Sequence, residues 1–516
     1  MSRSRILNRI HQTIRRQIVS TAPDHVLVTR RELLKLGGLA LGGLALPKLG
    51  WARSESRVPR IGIVGAGISG LTAALTLHDS GVPCSIYEAS TRIGGRMHSD
   101  ATFWNQGQVS EWCGEFIDTD HYLIRRLAQR FGLTLVDVNA ADPKGSVDTN
   151  YFRGTYYTDV ELAEDMKAIA PIINQQLRQI GPVVLYNQYT DAGYYFDHIS
   201  AYDWIETYVP GGHASRLGQY MDLSVVTLNG LDSSEQSSLN LIVPFFSDER
   251  FHTQGGNDQI PFAIAAGLPA GAMNLGWLLT TVAANSDKTV TLTFSTPSGT
   301  QQVTFDYVIL TLPFSVLRKL DLSQAGFEAL KMTAINQLGY GTNSKLILQF
   351  DQRYWNGHGA WPGISDGFVA TGLPFQTTWD SSRAEPGSYG LLTDYTGGTP
   401  GAAYQPDGPY TTSSNSTKTA QYAQTFLAQL EQVWPGATQR YQGLANLSYP
   451  TGDPNLLGSY SAYKVGQITG FAGYEGVPQG SIFFGGEQCS VNFQGYMEGG
   501  AEEGRRAALE VLSAVG

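Results

Sequence analysis

One stretch limits the possible folds more than any other. An apolar strand over Arg60 to Val64 runs into Gly65, Ala66, Gly67, Ile68, Ser69 and Gly70, then a helix predicted over Leu71 to Ser80 and a second strand over Cys84 to Glu88. Strand, glycine loop, helix and strand make a βαβ unit. Gly65 permits the tight turn, Gly67 lets the backbone approach a pyrophosphate, and Gly70 lets helix and strand pack closely. The helix N-terminus adds unpaired N–H groups and a dipole that favours an anion. Glu88 closes the second strand, 23 residues after Gly65, where its carboxylate can accept ribose hydroxyls and disfavours a 2′-phosphate. Because all these parts agree, the unit reads as a dinucleotide-binding site rather than an accidental glycine spacing.

The chain is too long for one core. Its 516 residues exceed the ~100–200 of a typical domain. Hydrophobic residues make up 42% and charged residues 16%, which excludes a disordered chain. Charge is uneven. Residues 1 to 53 hold ten Lys or Arg against Asp24 and Glu32, which leaves 25 basic and 43 acidic side chains in the remainder. An acidic body makes a nucleic-acid partner improbable.

The basic end has the layout of an address. Thr29, Arg30, Arg31, Glu32, Leu33, Leu34 and Lys35 lead into the Gly-rich apolar run Gly37 to Leu46. Paired arginines before a weak hydrophobic segment read as a twin-arginine signal, with cleavage expected near Ala52. The run falls short of the ~20 apolar residues of a membrane span, so no integral span is expected. Residues 1 to 28 read as an extended signal region or as a start placed too early. Export of an already folded protein suits a cofactor inserted before crossing, so the expected location is periplasmic or extracellular. Cys84, Cys113 and Cys489 form no CxxC pair and are odd in number, so neither a disulfide framework nor a metal site is expected.

The residues after Glu88 separate FAD from NAD. Ala89, Ser90, Thr91, Arg92, Ile93, Gly94, Gly95 and Arg96, with Ser99 close behind, resemble the second signature of the flavin amine oxidase family, which includes monoamine oxidases, polyamine oxidases and L-amino acid oxidases. Further blocks match in the family's order. Trp112, Cys113, Gly114, Glu115, Phe116 and Ile117 resemble the segment that passes the flavin. Gln254 to Pro261 resembles the block that introduces a helix, and Leu279 stands where the family places a residue on the adenine side. Near the C-terminus, Ile482 to Glu487 and Gly495, Tyr496, Met497, Glu498, Gly499, Gly500 and Ala501 precede a helix predicted over Glu502 to Leu512. In the family that helix points its N-terminus at the flavin pyrimidine, a favourable partner for the negative charge that reduction develops there.

The resemblance implies noncovalent FAD held by Gly65, Ala66, Gly67, Ser69, Gly70, Glu88, Ala89, Gly94, Gly95, Arg96, Gly114, Glu115, Phe116, Leu279, Gly486, Glu487, Tyr496 and Met497. Noncovalent attachment follows from Ser459, which occupies the place of the flavin-bonded cysteine of monoamine oxidases. Lys345, followed by Trp355, resembles the family lysine that holds a water near flavin N5. Tyr460 and Tyr496 resemble the aromatic pair that flanks the amine. Together these imply oxidation of a primary amine or L-amino acid to an imine. Such chemistry needs positioning more than acid–base side chains. Animal L-amino acid oxidases carry a carboxylate-binding arginine just after the Gly114 block, where this chain has Phe116; Arg216, Arg250, Arg353 or Arg383 would have to replace it. The expected partners are a small amine or amino acid, O2 or a quinone, and at most a second copy of the chain. Rival readings are an amine dehydrogenase passing electrons to a quinone, a flavin desaturase or isomerase, and a non-catalytic secreted flavoprotein.

The fold class expected is α/β (α+β overall). A Rossmann-like FAD domain is assigned to residues 58–140, 250–320 and 455–516, interleaved with a substrate domain of mixed sheet and helices at 141–249 and 321–454. Strands are predicted over Leu275 to Val282, Thr289 to Phe294, Val303 to Leu312, Lys345 to Phe350 and Leu391 to Tyr395. Helices are predicted over Val160 to Tyr189 and Thr417 to Val433, and Gly397 to Asn415 reads as a long surface loop.

Overall fold

The computed structural model describes residues 9–12, 58–244 and 247–516. Its nucleotide-binding part is a five-stranded parallel sheet ordered Ile482–Phe484, Tyr307–Leu310, Ile61–Val64, Ser85–Glu88, Met273–Leu275. All four residues of Ile61–Val64 are buried, as a central parallel strand covered on both faces requires. The following helix spans Ile68–Asp79 and so starts inside the glycine loop, three residues before its predicted position. The terminal helix, Met497–Val515, lies across it. A Cβ on Gly504 would sit 2.0 Å from the Ser69 carbonyl oxygen, so glycine there sets how close the two helices come.

Two predicted strands divide. The run from Val303 to Leu312 is split at Asp306, whose carboxylate holds the Arg60 backbone N–H at 2.7 Å and its guanidinium at 3.0 Å. Residues before the break, Gly299–Phe305, belong to a four-stranded sheet with Val290–Thr296, Leu278–Ala284 and Asp321–Gln324. Residues after it join the parallel sheet. Likewise Leu275 to Val282 breaks at Gly276, which takes a left-handed φ of 74° between the two sheets.

An eight-stranded sheet faces this assembly, ordered Tyr410–Thr412, Tyr441–Ser448, Ser344–Phe350, Gly390–Thr396, Thr377–Asp380, Ser365–Thr371, Val147–Phe152, Thr155–Tyr156. Its strands come from 147–156 and 344–448. The helix Thr417–Val433 has its predicted bounds; the Ser416 hydroxyl caps it by accepting from Thr419 N–H. Phe426, Leu427 and Leu430 of that helix share a core with Leu346, Leu348, Trp355 and Trp434. The helix predicted to Tyr189 ends at Ile180, where Gly181 adopts φ 78°, and it begins on a capping box between Thr158 and Glu161.

Gly397 to Asn415 is not the expected surface loop. It contains the short helix Gly398–Ala402 and the strand Tyr410–Thr412 on the sheet edge. Of the N-terminal region, residues 9–12 form one helical turn in which Ile10 is buried and Arg9 pairs with Asp148 at 2.7 Å and with Asp159. The twin-arginine segment and the cleavage site near Ala52 lie outside the described residues. Among the described residues no helix is long and apolar enough to cross a membrane.

Candidate active site

One cavity collects nearly all the predicted residues. Gly65, Gly67, Ser69, Glu88, Ala89, Gly94, Gly95, Arg96, Leu279, Gly114, Glu115, Phe116, Gly486, Glu487, Tyr496 and Met497 line it, and so do Lys345 and Tyr460. Ala66 and Gly70 do not. The Ala66 N–H donates to Glu88 Oε2 at 2.8 Å, while Gly70 packs beneath the loop, where a Cβ would meet the Gly65 carbonyl oxygen at 1.9 Å. Both shape the loop from behind and leave the cavity wall to their neighbours.

The glycine loop shows what it is built to admit. A Cβ on Gly67 would find only Gly95 Cα, at 3.9 Å, so the protein itself does not demand glycine at this position. Gly67 therefore borders a cradle that a methyl group would begin to fill. That fits a phosphate-bearing ligand laid on the N-terminus of the helix Ile68–Asp79. Glu88 takes one N–H on each oxygen, from Ala66 at 2.8 Å and Ser90 at 2.9 Å, which fixes its carboxylate at the cavity edge with lone pairs to spare for hydroxyls.

Arg96 and Glu487 bring the second and last motifs together. Arg96 Nη1 lies 2.9 Å from Glu487 Oε1 and 3.0 Å from the Ser459 carbonyl oxygen. Glu487 also accepts from Ser461 N–H, Ser461 Oγ and Gly495 N–H. Burial opposes its charge, but Arg96 and these donors overcome that and hold the carboxyl below its ordinary value. The Ser69 hydroxyl accepts from Gly486 N–H at 2.9 Å, so the first glycine motif and the last are directly tied.

Lys345 is more enclosed than an alternating strand would make it. All seven residues of Ser344–Phe350 are buried, because the eight-stranded sheet is covered on both faces. Its ammonium donates to the Glu111 carbonyl oxygen at 2.8 Å, the Cys113 carbonyl oxygen at 3.2 Å and Glu115 Oε2 at 2.7 Å. Those three acceptors account for its three hydrogens. Glu115 Oε1 receives the Trp379 indole N–H at 2.9 Å. Burial disfavours the Glu115 charge, yet Lys345 and Trp379 outweigh it and keep the carboxyl below its usual range. Asn257 braces the same loop by donating to the carbonyl oxygens of Gly114 and Glu115.

The stretch Phe375 to Tyr410, rich in Tyr, Trp, Gly and Asp as suits an aromatic pocket, supplies the wall beside this pair. Phe116 meets Trp379 at 5.9 Å, Trp379 meets Tyr395 at 5.1 Å, and the Tyr395 and Tyr460 hydroxyls are 2.8 Å apart. Tyr460 also donates to the Leu228 carbonyl oxygen at 2.8 Å. Tyr496 sits at the N-terminus of the terminal helix with its ring 5.2 Å from the fully buried His121. Trp379, Tyr395 and Glu249 come from separate segments with no shared motif, and only the fold unites them. Arg92, which a solvated turn would explain, lines the cavity and donates to the Gly95 carbonyl oxygen at 2.8 Å. Tyr410, from the supposed loop, packs on His98 at 4.7 Å and on Trp112 at 5.7 Å.

None of the four candidate carboxylate anchors lines the cavity. Arg216 pairs with Glu161, Arg250 with Asp137 and Arg383 with Asp142, while Arg353 binds Ser382. The cationic side chains on the described wall are Arg92, Arg96 and Lys345.

Burial also sets a pH dependence. The Glu498 carboxylate, fully buried in the first turn of the terminal helix, accepts Leu123 N–H at 2.7 Å and Ile124 N–H at 2.8 Å, and burial pushes its pKa up to about 7. Burial, with the Glu249 charge adding, does the same to Asp118, also to about 7. A carboxyl whose folded pKa is raised contributes stability at low pH and loses it as pH rises through that value. His98 and His252, whose pKa values burial lowers, act in the opposite sense, but only below about 6.5. The melting temperature of the apoprotein is therefore expected to fall between pH 6.5 and 7.5, and Glu498→Gln to flatten that slope. A melting temperature that rises across the interval contradicts this assignment.

A parallel sheet with a glycine-loop cradle, opening into an aromatic chamber under a second sheet, is an arrangement suited to an oxidoreductase that holds a phosphate-bearing cofactor. The family model described as flavin containing amine oxidoreductase matches residues 68–512, and the chain belongs to that family. An L-amino-acid oxidase of Pseudechis australis is 23% identical over 91% of this chain and 89% of its own length. Among solved structures, cyclohexylamine oxidase from Brevibacterium oxydans IH-35A matches with a TM-score of 0.75 and 19% identity, covering 89% of this chain and all of that one. A putrescine oxidase bound to putrescine matches at 0.70 and 18% identity, covering 88% of this chain and 99% of that one.

Proposed function

We propose that the chain oxidises a primary amine or L-amino acid to its imine, using noncovalent FAD and passing the electrons to O2. The observation that carries this reading is the meeting, in one cavity, of the nucleotide cradle at Gly67 and Glu88 with the Lys345–Glu115–Trp379 cluster and the tyrosines 395, 460 and 496. A bound FAD supplies the two-electron acceptor. The substrate's C–H bond breaks with its electron pair, the nitrogen lone pair forms the C=N bond, and one N–H proton leaves to solvent. Water then releases the carbonyl product and ammonia, while O2 takes two electrons and two protons to become hydrogen peroxide.

The protein's part is positional. Tyr460, fixed by Tyr395 and the Leu228 carbonyl, together with Tyr496 at the helix start, orients a neutral amine and excludes water. Lys345 keeps a positive charge on the wall at the point where oxygen must react. The N-terminus of Met497–Val515 supplies a dipole of the sign that favours added electrons. Ser459, its hydroxyl 2.8 Å from Asn343 Oδ1, offers no thiol for a covalent bond, which supports noncovalent attachment. Export by the twin-arginine route, with a periplasmic or extracellular site of action, belongs to the same proposal and rests on Arg30 and Arg31.

An assay in air tests this reading. One ammonia and one peroxide are expected per amine consumed, and acid precipitation should leave the flavin colour in the supernatant. Reduction of a quinone without peroxide would instead identify a dehydrogenase. A pellet that stays yellow would refute noncovalent binding and turn attention to Cys113, which lines the cavity.

A further inference from the structure

A histidine behind the chamber belongs to none of the matched motifs and has no part in the chemistry proposed above. His121 is fully buried and does not line the cavity. Its ring packs edge-on against Tyr496, with centroids 5.2 Å apart and planes at 65°, and against Phe493 at 5.5 Å.

One hydrogen bond fixes the tautomer. The Asp118 backbone N–H donates to His121 Nδ1 at 2.9 Å. A backbone N–H can only donate, so Nδ1 is the acceptor and the ring proton sits on Nε2, which faces Asp118 Oδ2 at 3.3 Å. Asp118, Asp120 and His121 bring three possible cation ligands together, but an imidazole with Nδ1 occupied and Nε2 protonated has no lone pair to give a metal. The arrangement instead sets the plane of the ring. Asp118 is itself pinned, since its Oδ1 accepts from Ser247 Oγ at 2.6 Å and from the Glu249 N–H at 2.7 Å.

A second tether lies two residues beyond Tyr496. Glu498 accepts the N–H groups of Leu123 and Ile124, in the first turn of the helix Tyr122–Arg130, whose N-cap is His121. The starts of that helix and of Met497–Val515 are thus joined twice, carboxylate on backbone and ring on ring. Tyr496, the N-cap of the terminal helix, is the member of this group that lines the cavity. A tyrosine ring has two torsions, and the edge of an immobile imidazole removes that freedom. Histidine does both jobs at once. Phe would keep the edge contact but could not accept the Asp118 N–H, and Asn could accept it but has no ring.

We infer that His121 is a positioning residue for the oxidation: locked by Asp118, it holds the Tyr496 ring in the orientation that the substrate amine meets. This inference rests on the amine-oxidising reading above and adds to it the means by which one wall of the chamber is kept in place. Small misplacements of a positioning group cost rate more than affinity for a cofactor bound elsewhere in the cavity.

A double-mutant cycle on the holoenzyme tests this, read by anaerobic flavin reduction with the fastest-reacting member of a panel of primary amines and L-amino acids. His121→Asn is expected to lower the limiting rate of reduction about tenfold, with FAD affinity within about twofold of wild type. His121→Phe, which keeps the ring edge, should recover part of that loss. In a Tyr496→Leu background His121→Asn should change the rate by less than about twofold, because the ring it acts on is gone. The same loss repeated in that background, or a rate untouched by both His121 variants, overturns the inference. Loss of FAD in step with the rate overturns it as well, since that marks a purely structural role. NMR of the imidazole nitrogens in isotopically labelled wild-type enzyme needs no variant to fold: a proton on Nε2 of His121 is expected, and a proton on Nδ1 refutes the lock. Failure of every amine and amino acid to reduce the flavin would instead defeat the reading on which the inference rests.

Discussion

Lys345→Met is expected to slow reoxidation of the reduced enzyme by O2 far more than it weakens FAD binding, and to lower stability at the same time. Both effects follow from one cluster. The ammonium satisfies Glu115 and two backbone carbonyls, and both charged side chains are 7% exposed. Removing one partner of a buried ion pair typically costs about 3–5 kcal/mol, because the other charge is left without compensation. Glu115 should then bind a proton, its carboxyl rising above the ordinary range once burial acts unopposed. The double variant Lys345→Met with Glu115→Gln separates the two roles. Its stability should largely recover, since no charge is stranded, while reoxidation stays slow. Stopped-flow mixing of reduced enzyme with oxygenated buffer measures the rate, and thermal melts measure the stability. An oxidative half-reaction unchanged in both variants would remove Lys345 from the oxygen chemistry and leave it as a buried structural cation.

The glycine loop yields the other large effect, through a contrast between two substitutions three residues apart. Gly70→Ala would place a methyl carbon 1.9 Å from the Gly65 carbonyl oxygen, a backbone atom that cannot swing aside. Overpacking of this kind costs about 1–3 kcal/mol or more, so the fold itself should suffer. Gly67→Ala meets nothing closer than 3.9 Å. Its apoprotein should melt within a degree or two of wild type, whereas its affinity for FAD should fall by about a hundredfold or more, about 2.8 kcal/mol. Melting of the apoproteins and flavin titration monitored by fluorescence provide the two readouts. A Gly67→Ala protein that retains FAD normally would mean that the cradle beside Gly67 is not where the diphosphate lies.

The parts legible in sequence were those where local chemistry and tertiary demand coincide. The helix Thr417–Val433 has a Ser416 cap and one apolar face, and both bounds follow from those two features. The βαβ unit is legible because turn, dipole and packing each need a glycine at a fixed spacing. The run from Val303 to Leu312 carries no such mark. Its β propensity is continuous, and the break at Asp306 depends on Arg60, more than two hundred residues away. Lys345 looked like one member of an alternating strand. The cover on both faces of its sheet, which buries all seven residues, is a tertiary fact that periodicity does not encode.

The site divides in the same way. Gly65, Gly67, Glu88, Arg96 and Glu487 lie in contiguous motifs, so the resemblance to flavin amine oxidases reaches them. Trp379, Tyr395 and Glu249 lie in no matched motif, so which side chains of the aromatic stretch Phe375 to Tyr410 face the site is decided only when distant segments converge on one cavity. Tyr410 was concealed by Gly, Pro, Ser and Thr neighbours that suggest a loop, although its strand pairs with Tyr441–Ser448. The anchoring arginine sought for a carboxylate was drawn from four candidates that the fold engages elsewhere, with Glu161, Asp137, Ser382 and Asp142.

Removal of two electrons from an amine in this cavity would be visible in the flavin spectrum. Anaerobic mixing of the purified holoenzyme with a panel of primary amines, diamines and L-amino acids tests it most directly, with flavin absorbance as the signal. Full bleaching by at least one member of the panel is expected, at a rate that saturates with substrate, followed by recovery of the yellow spectrum with peroxide release on admitting air. A bound flavin that no amine or amino acid bleaches, while dithionite reduces it normally, would contradict it.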